Sequence, residues 1–149
     1  MNILPYEVEV RSPTIFRFAS KGPKGTIIKE VVITPVSRLG YYNFGFGDVR
    51  SDGSIDDVSE TNNDDLLKVF STIISIMEYF LDRNPDCVLS FKGSTLQRTA
   101  VYNMILKRYR SRFSEKYRIS GMIMINGEFA EIEYDPFRIG YVVFLVRKK

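Results

Sequence analysis

Histidine and tryptophan are absent from the 149 residues, and cysteine occurs once. Without histidine the commonest general base near neutral pH is missing, and with it Ser-His or Cys-His nucleophile pairs and His-containing zinc sites. The lone Cys87 excludes an intramolecular disulfide and a multi-cysteine metal centre. Flanked by Val88 and Leu89, it reads as a small buried hydrophobe in a reducing compartment. The longest apolar run, YVVFLV, is far too short to span a bilayer, and the start, MNILPYEVEVR, lacks the basic and apolar regions of a secretory leader. The expectation is a cytoplasmic protein that engages no membrane. Glycine-rich phosphate loops, nucleophile elbows and dinucleotide-binding patterns are missing, as are internal repeats of about 20 to 50 residues. Any enzyme here would work with carboxylates, Lys, Arg, Tyr or hydroxyls, and no cofactor or metal is expected.

What is present is ordinary for a folded domain. A hydrophobic fraction of 44 % beside 26 % charged residues is too apolar for disorder, and the length suits one domain over residues 1–149. Residues 6–10 alternate and residues 14–19, TIFRFA, follow as a second strand. KGPKG supplies a tight connection into the β-branched TIIKEVVITPV, and YYNFGFGD at 41–48 reads as an aromatic strand. DDLLKVFSTIISIMEYFL, residues 64–81, is the clearest helix. A spacing of about 100° per residue puts Leu66, Val69, Phe70, Ile73, Ile74, Ile76, Met77, Phe80 and Leu81 on one half, with Lys68, Ser71, Ser75 and Glu78 opposite. Asn62 or Asn63 would cap its start and Asp64 and Asp65 suit its dipole. A buried strand CVLSF precedes a second helix, capped by Ser94 or Thr95 and running to about Tyr117, with Val101, Tyr102, Ile105, Leu106, Tyr109 and Phe113 inward. Asn126-Gly127 marks a hairpin, and RIGYVVFLV a strand covered on both faces. The succession β-β-β-(β)-α-β-α-β-β-β predicts an α+β fold, a mainly antiparallel sheet with two helices packed on one face.

The net charge of +3 hides two opposed blocks: residues 48–65 carry seven acids and one base, residues 94–118 seven bases and one acid. The acidic block fails as a calcium loop, because Arg50 and Ser59 fall where ligands are needed, and it reads as a solvated connection. In the basic block, strand, Gly93 and a Ser94-Thr95 cap would offer free N–H groups to an anion. Arg98 falls inside the apolar arc of the second helix. A cation facing a core needs a counter-charge, either a bound phosphate or an internal acid such as Asp48. The later bases, Lys107 and Arg110 on one rim and Arg108 and Arg112 on the other, do not form one stripe. Tyr41, Tyr42, Phe44 and Phe46 could supply stacking faces for nucleic acid beside them, although aromatics in strands are more often core.

GFGD at 45–48, taken with F-x-G-S-T-x-x-R-T-x-x-Y from Phe91 to Tyr102, resembles a small family of bacterial proteins known only as a domain of unknown function. The resemblance runs from about Tyr6 to Tyr134. It implies a short single-domain bacterial protein and no particular activity, and it marks Gly93, Ser94, Thr95, Arg98, Thr99 and Tyr102 as ligand-binding candidates. Three classes of function then stand open. The first is a non-catalytic binding module for nucleic acid, a nucleotide phosphate or an acidic protein. The second is an interaction protein of the toxin and antitoxin kind, acting through a protein partner; on any of these readings the chain could form a homo-oligomer. The third is a nucleotide- or nucleic-acid-processing enzyme without histidine, built on Arg98, Tyr102 and Asp48.

Overall fold

The computed structural model describes residues 3–56, 63–92 and 96–149; for Asp56, Leu96, Gln97 and Arg98 it describes the backbone only. In chain order the elements are β1 (Glu9–Ser12), β2 (Ile15–Gly22), β3 (Gly25–Pro35), β4 (Tyr41–Val49), β5 (Ile55–Asp56), α1 (Leu66–Arg83), β6 (Val88–Phe91), α2 (Leu96–Phe113), β7 (Tyr117–Ile125), β8 (Glu128–Glu133) and β9 (Val143–Lys148). The fold is α+β, with a mainly antiparallel sheet in the order β1-β2-β3-β4-β6-β9-β7-β8 and the short β5 on β4. Contacts divide the chain into two compact units, Met1–Thr34 with Gly45–Phe80 and Pro35–Phe44 with Leu81–Lys149.

In the first unit β2 and β3 form a hairpin closed by Gly22 opposite Gly25. Its register sets Phe16 against Val31 and Phe18 against Lys29, so the alternation of β2 turns Phe16, Phe18 and Ser20 to one buried face. Phe18 stacks on Phe46 at 6.2 Å, and Phe16 meets the edge of Tyr79 from α1 at 5.7 Å. Each such side chain fully withdrawn from water stabilises the fold by about 1.5–3 kcal/mol before ordering entropy is set against it.

The α1 stripe is buried from Val69 to Leu81, but Leu66 is 43 % exposed and Ser71, expected on the wet side, is buried. The reason is the N-terminal segment. Ser71 Oγ donates to the Ile3 carbonyl at 2.6 Å, and the Tyr6 amide donates to Thr72 Oγ1 at 2.9 Å, so chain lies over the helix's polar flank. The helix also begins later than expected, at Leu66, with the Asp65 carbonyl accepting from the Val69 amide. Asn63 is no cap. Its side chain accepts from the Lys24 amide at 2.7 Å and donates to the Gly25 carbonyl at 2.8 Å, pinning the β2–β3 turn.

In the second unit the first residues of β4 run parallel to β6, which pairs with β9, then β7, then β8, all antiparallel. Asn126 and Gly127 both have positive φ, 51° and 81°, as a two-residue turn matching strand twist requires. α2 lies against this sheet through Tyr102 on Phe91 at 5.6 Å and Phe113 on Tyr117 at 5.3 Å. It stops at Phe113, four residues before the expected end, because Tyr117 is a core residue of β7 whose hydroxyl donates to Asp82 at 2.7 Å. No Gly or Pro marks that stop. RIGYVVFLV likewise becomes strand only from Val143, and Ile139 is 91 % exposed.

Gly121 in β7 receives the Tyr141 ring, and a Cβ there would sit 2.3 Å from the ring's Cδ1. Tyr141 is also packed against Tyr134 and Phe144, with centroids at 5.7 and 5.2 Å, which limits how far its ring can shift. Gly121→Ala should therefore destabilise by about 1–3 kcal/mol, the usual cost of overpacking, read as a lower midpoint in urea with an unchanged slope.

Candidate functional site

Gly93, Ser94 and Thr95 lie outside the described residues, and so does the Arg98 side chain. Thr99 is half-buried on the first turns of α2. Tyr102 is 5 % exposed with its ring in the core beside Phe91. Phe44 and Phe46, two of the four candidate stacking faces, are buried as well; Phe44 lies 4.7 Å from Phe91 and Phe46 lies against Phe18. They are core residues and cannot receive a base.

Asp48 does find a cation, and it is Lys29. The two are 2.6 Å apart and almost wholly buried, with the ammonium 5.6 Å from the Phe46 centroid. β-sheet alternation explains the placement: Lys29 shares a face with Val31 and Ile33, and Asp48 with Phe44 and Phe46. Among the described residues Asp48 Oδ2 has no hydrogen-bond partner. The pair is a polar plug in an apolar layer. Such pairs are weak sources of net stability but costly to break, since the survivor keeps its desolvation penalty.

A different set of side chains gathers around open space. A cleft of about 580 Å³ is lined by Arg110 and Ser114 from the end of α2, Arg118 and Ser120 from β7, Glu131 and Glu133 from β8, and Arg147 and Lys149 at and beyond the end of β9, over the rings of Tyr117 and Tyr134. Register builds it. Arg118 stands directly opposite Arg147 on β9, and Ser120 opposite Glu133 on β8, so these four side chains share one face of the ladder. Arg147 reaches over β7 to Glu131 at 2.7 Å, and Ser120 donates to the same carboxylate oxygen at 2.6 Å. Lys149 Nζ donates to the Ser114 carbonyl. Among the described residues Arg110, Arg118 and Glu133 form no ion pair.

The tyrosines form a wall whose polar ends are already engaged. The Tyr134 hydroxyl donates to Asn103 Oδ1 at 2.7 Å, and burial pushes its ionisation up to about 12, against the pull of the Arg110 charge. Tyr117 donates to Asp82, and that hydrogen bond, reinforced by Lys148 at 3.3 Å, holds the Asp82 carboxyl below its ordinary value. Cys87 takes no part; burial raises its thiol, which keeps it a poor nucleophile at neutral pH.

Arg110 and Arg118 fall in the basic block visible in the sequence, but Arg147, Lys149 and Glu133 fall in a stretch whose charges cancel, residues 119–149. Charge summed along the chain cannot find them, because what brings them together is pairing across three strands.

Two outcomes follow from these pairings. Lys29→Met alone should cost about 3–5 kcal/mol by leaving a buried carboxylate, whereas Lys29→Met with Asp48→Leu should recover most of that loss, measured by urea unfolding. For Tyr134, a folded-state value of about 12 above an ordinary 10.0 means its contribution is whole below pH 10 and is lost as pH rises through 12. Absorbance titration of tyrosinate in Tyr134→Phe should lack one late-ionising group, and stability between pH 10 and 12 should fall less steeply than in the parent.

No curated protein and no solved structure matches the chain significantly. A family model described as Family of unknown function (DUF6934) matches residues 2–149. With the match covering almost the whole chain, the protein belongs to that family of unknown function.

Proposed function

We propose that the protein is a non-catalytic binding module that holds a small organic anion, of the class of a nucleotide or other phosphate compound, in the cleft between the end of α2 and β7. Arg118 carries the reading. Each of the other cations there has a local reason to be present. Arg110 lies in the last turn of α2, where a positive charge is favoured by the helix dipole; Arg147 has Glu131; Lys149 has the Ser114 carbonyl. Among the described residues Arg118 forms no ion pair, and it faces a like charge directly across the ladder, an arrangement that disfavours an empty sheet. A phosphate accepting from the Arg118 guanidinium would offset that repulsion with charge-assisted hydrogen bonds.

Size supports a small ligand over a nucleic-acid strand. The cleft's 580 Å³ falls within the range of about 300–1,000 Å³ common for small-molecule sites. A single-strand track would need aromatic faces open to solvent beside the bases, and of the four candidates Phe44 and Phe46 are buried and Tyr41 and Tyr42 half-buried. The same reading makes this a bacterial cytoplasmic protein, which is supported by its resemblance and its lone, half-buried cysteine. Among the described residues no helix is long and apolar enough to cross a membrane.

Arg118→Glu separates binding from folding. It replaces a like-charge cross-strand pair with an opposite-charge one, so stability should hold or rise by up to about 1 kcal/mol. Calorimetric titration with inorganic phosphate at low salt should at the same time show affinity reduced at least tenfold, and binding by the parent should weaken as salt screens the site. Equal phosphate affinity in parent and variant would remove the reading.

A further inference from the structure

Resting on that reading, we infer that the cleft selects a phosphomonoester that also carries hydroxyl groups, the chemistry of a sugar phosphate or a ribonucleoside monophosphate. The wall facing the cations is not neutral. Glu131 is consumed by Arg147 and Ser120, but Glu133 lines the same space and, among the described residues, forms no ion pair. A site built only to collect negative charge has no use for a carboxylate, which would repel the ligand. A carboxylate is an acceptor, however, and a ligand hydroxyl is a donor with no charge to repel.

The spacing is set by register. Ser120 is directly opposite Glu133, and Arg118 lies two residues along β7 on the same face, so Arg118 and Glu133 are diagonal neighbours at about 7–8 Å. Those neighbouring backbone positions put the guanidinium and the carboxylate within reach of one small ligand, a phosphate on the former and a sugar hydroxyl on the latter. Dianionic monoesters suit Arg118, standing opposite Arg147, better than a diester, which carries one charge. The half-buried Ser120 hydroxyl, already donating to Glu131, leaves Glu133 as the unengaged acceptor on this wall.

Calorimetry with the full chain decides it, using inorganic phosphate, ribose 5-phosphate, ribose and a short single-stranded oligonucleotide as separate probes. Ribose 5-phosphate should bind at least tenfold more tightly than phosphate, with ribose alone below detection. Glu133→Ala, which removes the acceptor at an exposed position, should erase most of that preference while phosphate affinity stays equal or improves. Ribose 5-phosphate no tighter than phosphate, or a preference untouched by Glu133→Ala, overturns this inference and leaves the anion site standing. Tighter binding of the oligonucleotide than of ribose 5-phosphate overturns it in favour of a nucleic-acid surface. Failure of every phosphate-bearing probe to bind would take the anion site with it.

Discussion

Pairing register in the β8-β7-β9 ladder is the constraint on which the cleft depends. With Ser120 opposite both Leu145 and Glu133, the side chains of Arg118, Ser120, Glu133 and Arg147 emerge on one face, and Arg147 can reach across β7 to Glu131. A slip of one residue in β7 would send Arg118 to the helix side and bring Tyr117 and Ile119 outward. That slip is opposed by the burial of Tyr117, by its hydrogen bond to Asp82 and by the contact of Tyr141 with Gly121. The core contacts of one face thus fix the charges of the other.

The first unit handles its polar groups differently. Asp65 accepts from Tyr6 and Ser20, Asn63 holds the β2–β3 turn, and Lys29 pairs with Asp48 inside an aromatic layer. Such buried groups must find partners because the transfer from water is otherwise uncompensated. They account for residues that a pattern-based reading sets on the surface or assigns to helix caps. They also show how an acid suspected of serving a distant ligand can be satisfied close to home: Asp48 is matched by the opposing strand's Lys29.

Charge in this protein is informative only after folding. The basic block of residues 94–118 divides between α2 and β7, and among its described bases Arg110 and Arg118 line the cleft along with residues some thirty positions later. The acidic residues of β8 look like ordinary edge-strand charges in the sequence, yet Glu131 fixes Arg147 and Glu133 faces the cations. The +3 total has no bearing on these local balances.

Periodicity and turn chemistry by themselves determined the α+β class, the succession of elements, the Asn126-Gly127 hairpin and the buried stripes of both helices, because each depends on residues a few positions apart. The start of α1 and the end of α2 were misread for the same reason, since Asn63 and Tyr117 are claimed by partners far along the chain. Strand order, the Lys29–Asp48 pair and the cleft were decided only in the tertiary structure. Their parts lie on separate strands, and local preference carries no information about which strand will become a neighbour or in what register.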